Sequence, residues 1–358
     1  MRERFHILHQ MVLLLMIAAV LLTACSSDSP EAQVNRAGEA SVAHVVHLAT
    51  LASSYVEPTS DHRAAPVGYS AYPLDKVIEM GIYVFLPPEN YETPVVPELQ
   101  RIKYDGAKWH AYFSVDPNKT YTVYGYLPKA EGMGSSLTKS SADEATLTIT
   151  GMKSVTTEDY CVITGVKETE AGLKEGNFFW YQTVTNDDYY IYMLLNHLYA
   201  SLRFSVKVDA TYAELRTIKL KSMKLGTSES SVSAAITLTH NTTGAMPITN
   251  VSYTSTTGSD SEVVIFSDDD GLALSPVTPK VIDGCFAPTL YGNLTLTTSY
   301  DVYDRYGNLV RANCTATNKL PILEATRGQR LQLNLTVSPT YLYVLSDPDL
   351  DNPTIKIS

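Results

Sequence analysis

The sequence predicts an all-β protein made of two β-sandwich domains, and three observations support this. The chain has 358 residues, which is enough for two domains with a core each. Its 24 Tyr outnumber 8 Phe and 2 Trp, and Ser and Thr runs are frequent. That mixture favours half-exposed strands over helices. Apolar and polar residues also alternate along much of the second half, which is the period of strands with one buried face.

Charge and cysteine content exclude two classes of protein. The 27 Lys and Arg are outnumbered by 38 Asp and Glu, and the net charge of −11 comes with no basic stripe. We therefore expect no nucleic-acid partner. The 4 cysteines are too few for a disulfide scaffold.

The N-terminus predicts a lipoprotein signal peptide over residues 1–24. An apolar run at 11–22 follows two arginines, and it is shorter than the roughly 20 residues that a transmembrane helix needs. Small residues come directly before Cys25, as in the bacterial lipobox. We expect Cys25 to carry acyl chains that anchor the exported protein. The alternative is an ordinary secretory signal followed by an incidental cysteine.

Export would place the other cysteines in an oxidising compartment. Cys285 and Cys314 could then form a disulfide, and the odd count leaves at least one thiol free. The alternative is that all are plain buried thiols.

An apolar segment follows a polar tether at residues 26–41 and predicts a strand buried on both faces at 42–52. Its apolar side chains are Val42, Val45, Val46, Leu48 and Leu51. Their burial would contribute about 7–15 kcal/mol, against a whole-domain stability of about 5–15 kcal/mol.

A polar loop with an Arg63–Ala64 step comes after this strand. Cleavage after Arg63 would free the strand and leave a groove lined by unpaired N–H and C=O groups. An extended segment of another subunit could refill it by donor-strand complementation, and head-to-tail linkage that does not close builds a filament. The candidate donor residues, all near the C-terminus, are Tyr341, Leu342, Tyr343, Val344, Leu345, Ile355 and Ile357. The alternative is an ordinary surface arginine and an ordinary last strand.

Further strands are predicted at 77–86, 111–115, 121–127 and 145–150. After a boundary near residue 195 the alternation becomes cleaner. Leu202, Phe204, Val206 and Val208 are expected to share one buried face. A turn at residues 304–308 predicts a hairpin.

The sequence contains no recognisable catalytic motif, so we expect no catalytic residue, metal or cofactor. His197 lies in an apolar stretch and is interpreted as a core histidine. The acidic run at 268–270 is interpreted as a solvated turn. Asp347, Asp349 and Asp351 alternate near the C-terminus, and whether they bind a cation is left open.

The order of these features resembles the fimbrillin family, the type V pilins of Bacteroidetes. The matching elements are the lipobox at Cys25, the apolar strand, the Arg63–Ala64 step before IYVF, the NHL and LRFSVKV segments, and the late YDVYDRYGN hairpin with LQLNLTV. The resemblance implies two transthyretin-like β-sandwich domains in tandem, with an exchangeable N-terminal strand and an extended C-terminal segment. It also implies export as an outer-membrane lipoprotein, an arginine-specific protease, and other subunits of a cell-surface fimbrium as partners.

The resulting domain organisation has five parts. They are a signal peptide at 1–24, a propeptide at 25–63, sandwich domains at 64–195 and 196–337, and a donor segment at 338–358. A second Arg–Ala step, Arg36–Ala37, lies before the strand, so cleavage there would not open the groove.

A competing hypothesis is a surface glycan-binding lipoprotein of β-sandwich type. It needs an exposed aromatic platform, for which Trp109 and Trp180 are the candidates, although the FFWYQ context of Trp180 is more typical of a core. A hydrolase has the least support, because no carboxylate pair stands out.

Overall fold

The computed structural model consists almost entirely of β-strands, so the all-β prediction is confirmed. The structure describes residues 44–53, 69–71, 78–86, 94, 99–104, 109–113, 115, 118–181, 188–241, 246–288, 290–291, 294–320, 323–324, 326–338 and 354–357.

Eleven strands are described in the first half of the chain, and the first, third, fifth, sixth and eighth of these eleven lie close to predicted segments. They are β1 His44–Ser53, β2 Tyr69–Ala71, β3 Ile78–Phe85, β4 Leu99–Tyr104, β5 Trp109–Phe113, β6 Thr120–Leu127, β7 Gly134–Lys139, β8 Glu144–Met152, β9 Cys161–Lys167, β10 Phe179–Tyr181 and β11 Asp188–His197.

The second half continues with strands of very different length. They are β12 Ala200–Val208, β13 Arg216–Thr239, β14 Ile248–Ala273, β15 Lys280–Ala287, β16 Leu290–Tyr291, β17 Thr295–Asp304, β18 Leu309–Lys319, β19 Leu323–Glu324, β20 Arg330–Ser338 and β21 Thr354–Ile357. One α-helical turn, α1 (Ala210–Ala213), and one 3₁₀ turn, Glu170–Gly172, complete the described elements. Within the described part of the chain, no helix has the length and apolarity to cross a membrane.

The first sheet closes on itself. Its strands follow the order β6-β3-β4-β5-β1-β11-β9, and β9 pairs back onto β6 at Tyr126 opposite Val162 and Leu127 opposite Cys161. β10 extends the same edge of β6, and β2 pairs with the end of β1. Because the ring is closed, each of its members is held on two sides.

Both faces of β3 are buried along residues 80–85, which explains the continuous apolar run IYVF. Met80, Ile82 and Val84 belong to the core cluster that collects the inward side chains of β6, β9 and β11. Tyr83 and Phe85 face the other way and pack in a second cluster with side chains of β8 and β13. Alternate residues of one strand therefore contribute to two cores.

A third core lies between two sheets made mostly by the second half of the chain. One sheet has the order β15-β12-β20-β21, and the other runs β18-β17-β13-β8-β7 with β14 on β13. Leu202, Phe204, Val206 and Val208 are all buried in this core, as predicted. β13 is 24 residues long and pairs with β17 in its first part and with β8 in its last part. Strands on both sides of residue 195 thus share a sheet, and the domain bounds stay a prediction.

The disulfide between Cys285 and Cys314, which the sequence left open, is not formed. Neither cysteine is part of a disulfide, and both are buried in the third core. Cys285 lies on β15 and Cys314 on β18, which belong to different sheets. Each behaves as a small apolar side chain, which is the alternative that the sequence allowed.

Gly125 tests the close packing at the seam where the ring closes. A Cβ at this position would lie 2.5 Å from the Gly81 carbonyl oxygen on β3 and 3.0 Å from Ile163 Cδ1 on β9. We therefore expect Gly125→Ala to lower the free energy of unfolding by about 1–3 kcal/mol, measured by chemical denaturation. Gly134→Ala is the control, because its Cβ would meet only the exposed Thr150 Oγ1, at 3.0 Å. Equal stability of the two variants would contradict this packing.

Candidate assembly site

β1 is an internal strand of the closed sheet, paired along both of its edges. On one side it runs parallel to β11, from Val45 opposite Asp188 to Ala52 opposite Leu195. On the other side it runs antiparallel to β5, from His44 opposite Phe113 to Leu48 opposite Trp109, and then to β2 at Leu51–Ser53. Departure of β1 would therefore leave the facing edges of β5 and β11 without ladder partners.

The strands beside β1 form part of the first core. The inward side chains of β11 are Tyr189, Ile191, Met193 and Leu195, and each is at most 2% exposed. On the other side of β1, Ala111 of β5 is fully buried in the same cluster. A slot opened between β5 and β11 would thus border an apolar interior as well as two backbone edges.

The predicted cleavage step lies in the connection between two paired strands. β1 ends at Ser53 and β2 begins at Tyr69, and these two residues face each other in an antiparallel pair. Arg63 and Ala64 fall in this connection and lie outside the described residues. Cys25 and Val42, which precede β1, also lie outside them. A cut at this position would leave β2 attached to the rest of the chain.

The C-terminal segment is held on one side. β21 has 4 residues and forms the outer strand of its sheet, with Ile357 opposite Leu335 and Ile355 opposite Val337 on β20. The candidate donor residues Tyr341–Leu345 and the aspartates Asp347, Asp349 and Asp351 lie outside the described residues.

A polar cluster lies at the end of the ladder between β9 and β11. His197 Nδ1 is 3.0 Å from both carboxylate oxygens of Asp159 and 3.5 Å from Cys161 Sγ. The sulfur is 3.8 Å from Asp159 Oδ1. His197 and Cys161 are 3% and 0% exposed, whereas the Asp159 side chain is 20% exposed. His197 is buried, as its sequence context indicated, but its polar partners were not foreseen.

Sheet geometry explains this convergence. Cys161 and His197 are directly opposite in the β9–β11 ladder, so their side chains share one face. Asp159 precedes Cys161 by two residues, and pairing continues past the strand ends with a hydrogen bond from Leu198 N–H to the Tyr160 carbonyl. The sequence shows the Asp-x-Cys spacing, but the register that brings His197 to it is a long-range property.

The cluster is not arranged as a nucleophile and base. In a catalytic relay, the carboxylate orients one ring nitrogen while the nucleophile meets the other. Here, the carboxylate and the thiol meet the same nitrogen of His197. Burial, followed by the charge of Asp159, also raises the pKa of the Cys161 thiol well above its usual value.

Two other features noted in the sequence have structural roles. Trp180 is fully buried, and its indole N–H donates to the Tyr190 carbonyl over 2.9 Å. The acidic run lies within β14, where Asp268 Oδ1 accepts the backbone N–H groups of Asp270 and Gly271. Gly271 has a φ of 76°, so the run forms an irregularity within the strand, in place of the predicted solvated turn.

No protein-family model matches the sequence, and no curated protein matches it. Similar solved structures include a candidate cell adhesion protein of Bacteroides uniformis, at 14% identity and a TM-score of 0.36, covering 87% of this chain and 97% of that one. A fimbrial protein of Bacteroides vulgatus has 13% identity and a TM-score of 0.34, covering 80% and 92%. The fimbrial anchor protein Mfa2 of Porphyromonas gingivalis has 12% identity and a TM-score of 0.29, and the match covers 87% of this chain and 95% of that one.

These structures are of the kind that the sequence resemblance indicated, namely fimbrial and cell adhesion proteins of Bacteroidetes. Every TM-score is below 0.5, so we infer the function from the geometry of the chain itself.

Thiol reactivity tests the burial of the cysteines. Burial raises the pKa of the Cys285 thiol to about 12 and that of Cys161 well above its usual value, so both stay protonated and enclosed. We expect iodoacetamide at about pH 8, near the ordinary thiol pKa, to modify neither residue in the folded protein and both in denaturant, as read by peptide mass spectrometry. Stoichiometric labelling of Cys161 in the folded chain would contradict the structure.

Proposed function

We propose that the protein is a structural subunit of a cell-surface fimbria, exported as a lipoprotein acylated at Cys25. An arginine-specific protease cleaves after Arg63, β1 leaves, and the C-terminal segment of a neighbouring subunit takes its place. Repetition of this exchange builds an adhesive polymer from this subunit alone or with other fimbrial subunits. Acyl chains hold the precursor at the outer membrane until it is processed.

The observation that carries the proposal is the position of β1 between β5 and β11. A strand that could be lost without consequence would lie at a sheet edge, whereas β1 has partners on both sides. Its removal exposes two backbone edges and the apolar wall that includes Ile191 and Met193. Only another extended chain can satisfy both edges at once, which is why strand addition from a second subunit is the expected consequence.

The same pairing defines what the incoming strand must match. β5 and β11 run in opposite directions, so any occupant of the slot is parallel to one and antiparallel to the other. β11 forms eight pairs with β1, and β5 and β2 together form eight on the other side. The donor therefore has to supply an extended segment of about eight residues, with one parallel and one antiparallel ladder.

The C-terminal segment is suited to the donor role because its described strand is an outer one. Within residues 354–357, β21 pairs with β20 along one edge. In the slot, the donor would gain ladders on both sides and bury its apolar side chains. The difference between one-sided and two-sided pairing favours transfer to a neighbour.

The glycan-binding alternative gains no support from Trp180, because the indole is fully buried and engaged with β11. Trp109 is a residue of β5, whose backbone pairs with β1 at Leu48. A polysaccharide affinity that persists with β1 in place would favour this alternative.

Processing at Arg63 is the first test. Arg63→Ala should keep β1 covalently attached, so the chain should stay monomeric when the arginine-specific protease is supplied. Arg36→Ala is the matched control, since that Arg–Ala step lies before β1 and the variant should assemble normally. The measurement is the ladder of SDS-resistant oligomers together with N-terminal sequencing. Normal oligomers from Arg63→Ala would refute the cleavage assignment.

Removal of the donor is the second test. A chain that lacks residues 341–358 should be processed but should not polymerise, because its open slot finds no donor. A synthetic peptide of residues 339–358 should bind it with a stoichiometry of one, measured by native mass spectrometry, and a scrambled peptide should not. If the truncated and processed chain still forms oligomers, the donor lies elsewhere in the protein.

A further inference from the structure

Asp159, Cys161 and His197 form a set of side chains that the proposed assembly does not use. Two of the three are almost completely buried, and one ligand atom from each residue lies within 4.8 Å of the other two. The set joins three strands, because Cys161 is paired with His197 on β11 and with Leu127 on β6.

The geometry points to a binding site for one zinc-class transition-metal ion, held by Asp159, Cys161 and His197. Thiolate, imidazole and carboxylate are the ligands that zinc prefers, whereas calcium and magnesium take oxygen donors. A tetrahedral zinc with sulfur at about 2.3 Å and nitrogen or oxygen at about 2.0–2.2 Å holds these atoms about 3.3–3.6 Å apart. The measured separations of 3.0, 3.5 and 3.8 Å bracket this range.

The same convergence that excludes a catalytic relay fits a metal ion. One nitrogen, one sulfur and one oxygen face a common point, as ligands do around a cation. The partial exposure of Asp159, 20% of its side chain, leaves a side from which a water molecule can complete a fourth position.

Metal binding at this site needs no oxidant or reductant. The metal ion forms bonds to Cys161 Sγ, His197 Nδ1 and an Asp159 oxygen, and the thiol proton passes to solvent. The charge of the ion replaces the hydrogen bonding and ion pairing that now satisfy the three groups, and it stabilises the thiolate that burial disfavours.

The position of the site suggests what the ion does. His197 is the last residue of β11, and Leu195, two residues earlier, is the last residue of β11 that pairs with β1. A metal ion that links β11 to β9 would hold β11 in place at the border of the slot while β1 is absent. This consequence rests on the proposed function, whereas metal binding itself does not.

Metal binding can be measured on the full, unprocessed chain in detergent, so the result does not depend on polymerisation. We expect one Zn²⁺ per chain by equilibrium dialysis and elemental analysis. With Co²⁺ we expect a thiolate-to-cobalt charge-transfer band in the near ultraviolet. Cys161→Ser should abolish the band, and Asp159→Asn should weaken zinc affinity by at least about tenfold.

Two control variants separate this site from adventitious binding. Cys285→Ala removes another buried thiol and His240→Gln another histidine, and neither should change stoichiometry or the cobalt band. If Cys161→Ser does not fold, as judged by circular dichroism, the variant at the partly exposed Asp159, Asp159→Asn, decides the matter. Absence of stoichiometric zinc, or equal zinc affinity in Asp159→Asn and His240→Gln, would overturn the assignment.

Discussion

The pairing of β1 with β5 and β11 is the constraint on which the N-terminal half depends. A closed sheet leaves no edge only if every member is present, and β1 supplies the partners of two neighbours at once. The same closure buries the inward face of β3 in the first core, which several strands line, whereas packing against β8 and β13 buries its other face. Loss of one member therefore affects the whole ring, because the backbone groups that it exposes need an extended partner.

In the proposed assembly, this constraint decides which strand occupies the slot before and after cleavage. In the precursor, β1 is tethered to its slot, so intramolecular pairing wins over any donor from another chain. Cleavage in the connection to β2 removes that advantage. The competition is then between a free β1 and a neighbour's C-terminal segment, which leaves one-sided pairing on β20 for two-sided pairing in the slot. An outer strand of 4 residues is a small contact to give up.

Sequence reasoning succeeded where the signal is local. The apolar segment at 42–52 became β1, IYVF became β3, and the alternation from Leu202 to Val208 became β12. It failed where partners are distant. The sequence around Cys161 does not predict its contact with His197, because that contact depends on the register of β9 against β11. The length of the 24-residue β13 could not be predicted either, because it depends on pairing with β8, which precedes it in the sequence, and with β17, which follows it.

Hydrogen exchange along β11 tests the central claim most directly. The backbone amides of β11 that point toward β1, which alternate along residues 188–195, should be protected in the precursor, exchange rapidly in the processed monomer, and regain protection in the polymer. The amides of β20 should change in the opposite sense near residues 335–338 if β21 leaves for a neighbour. Protection of β11 that is the same before and after processing would show that β1 is not the strand that is exchanged.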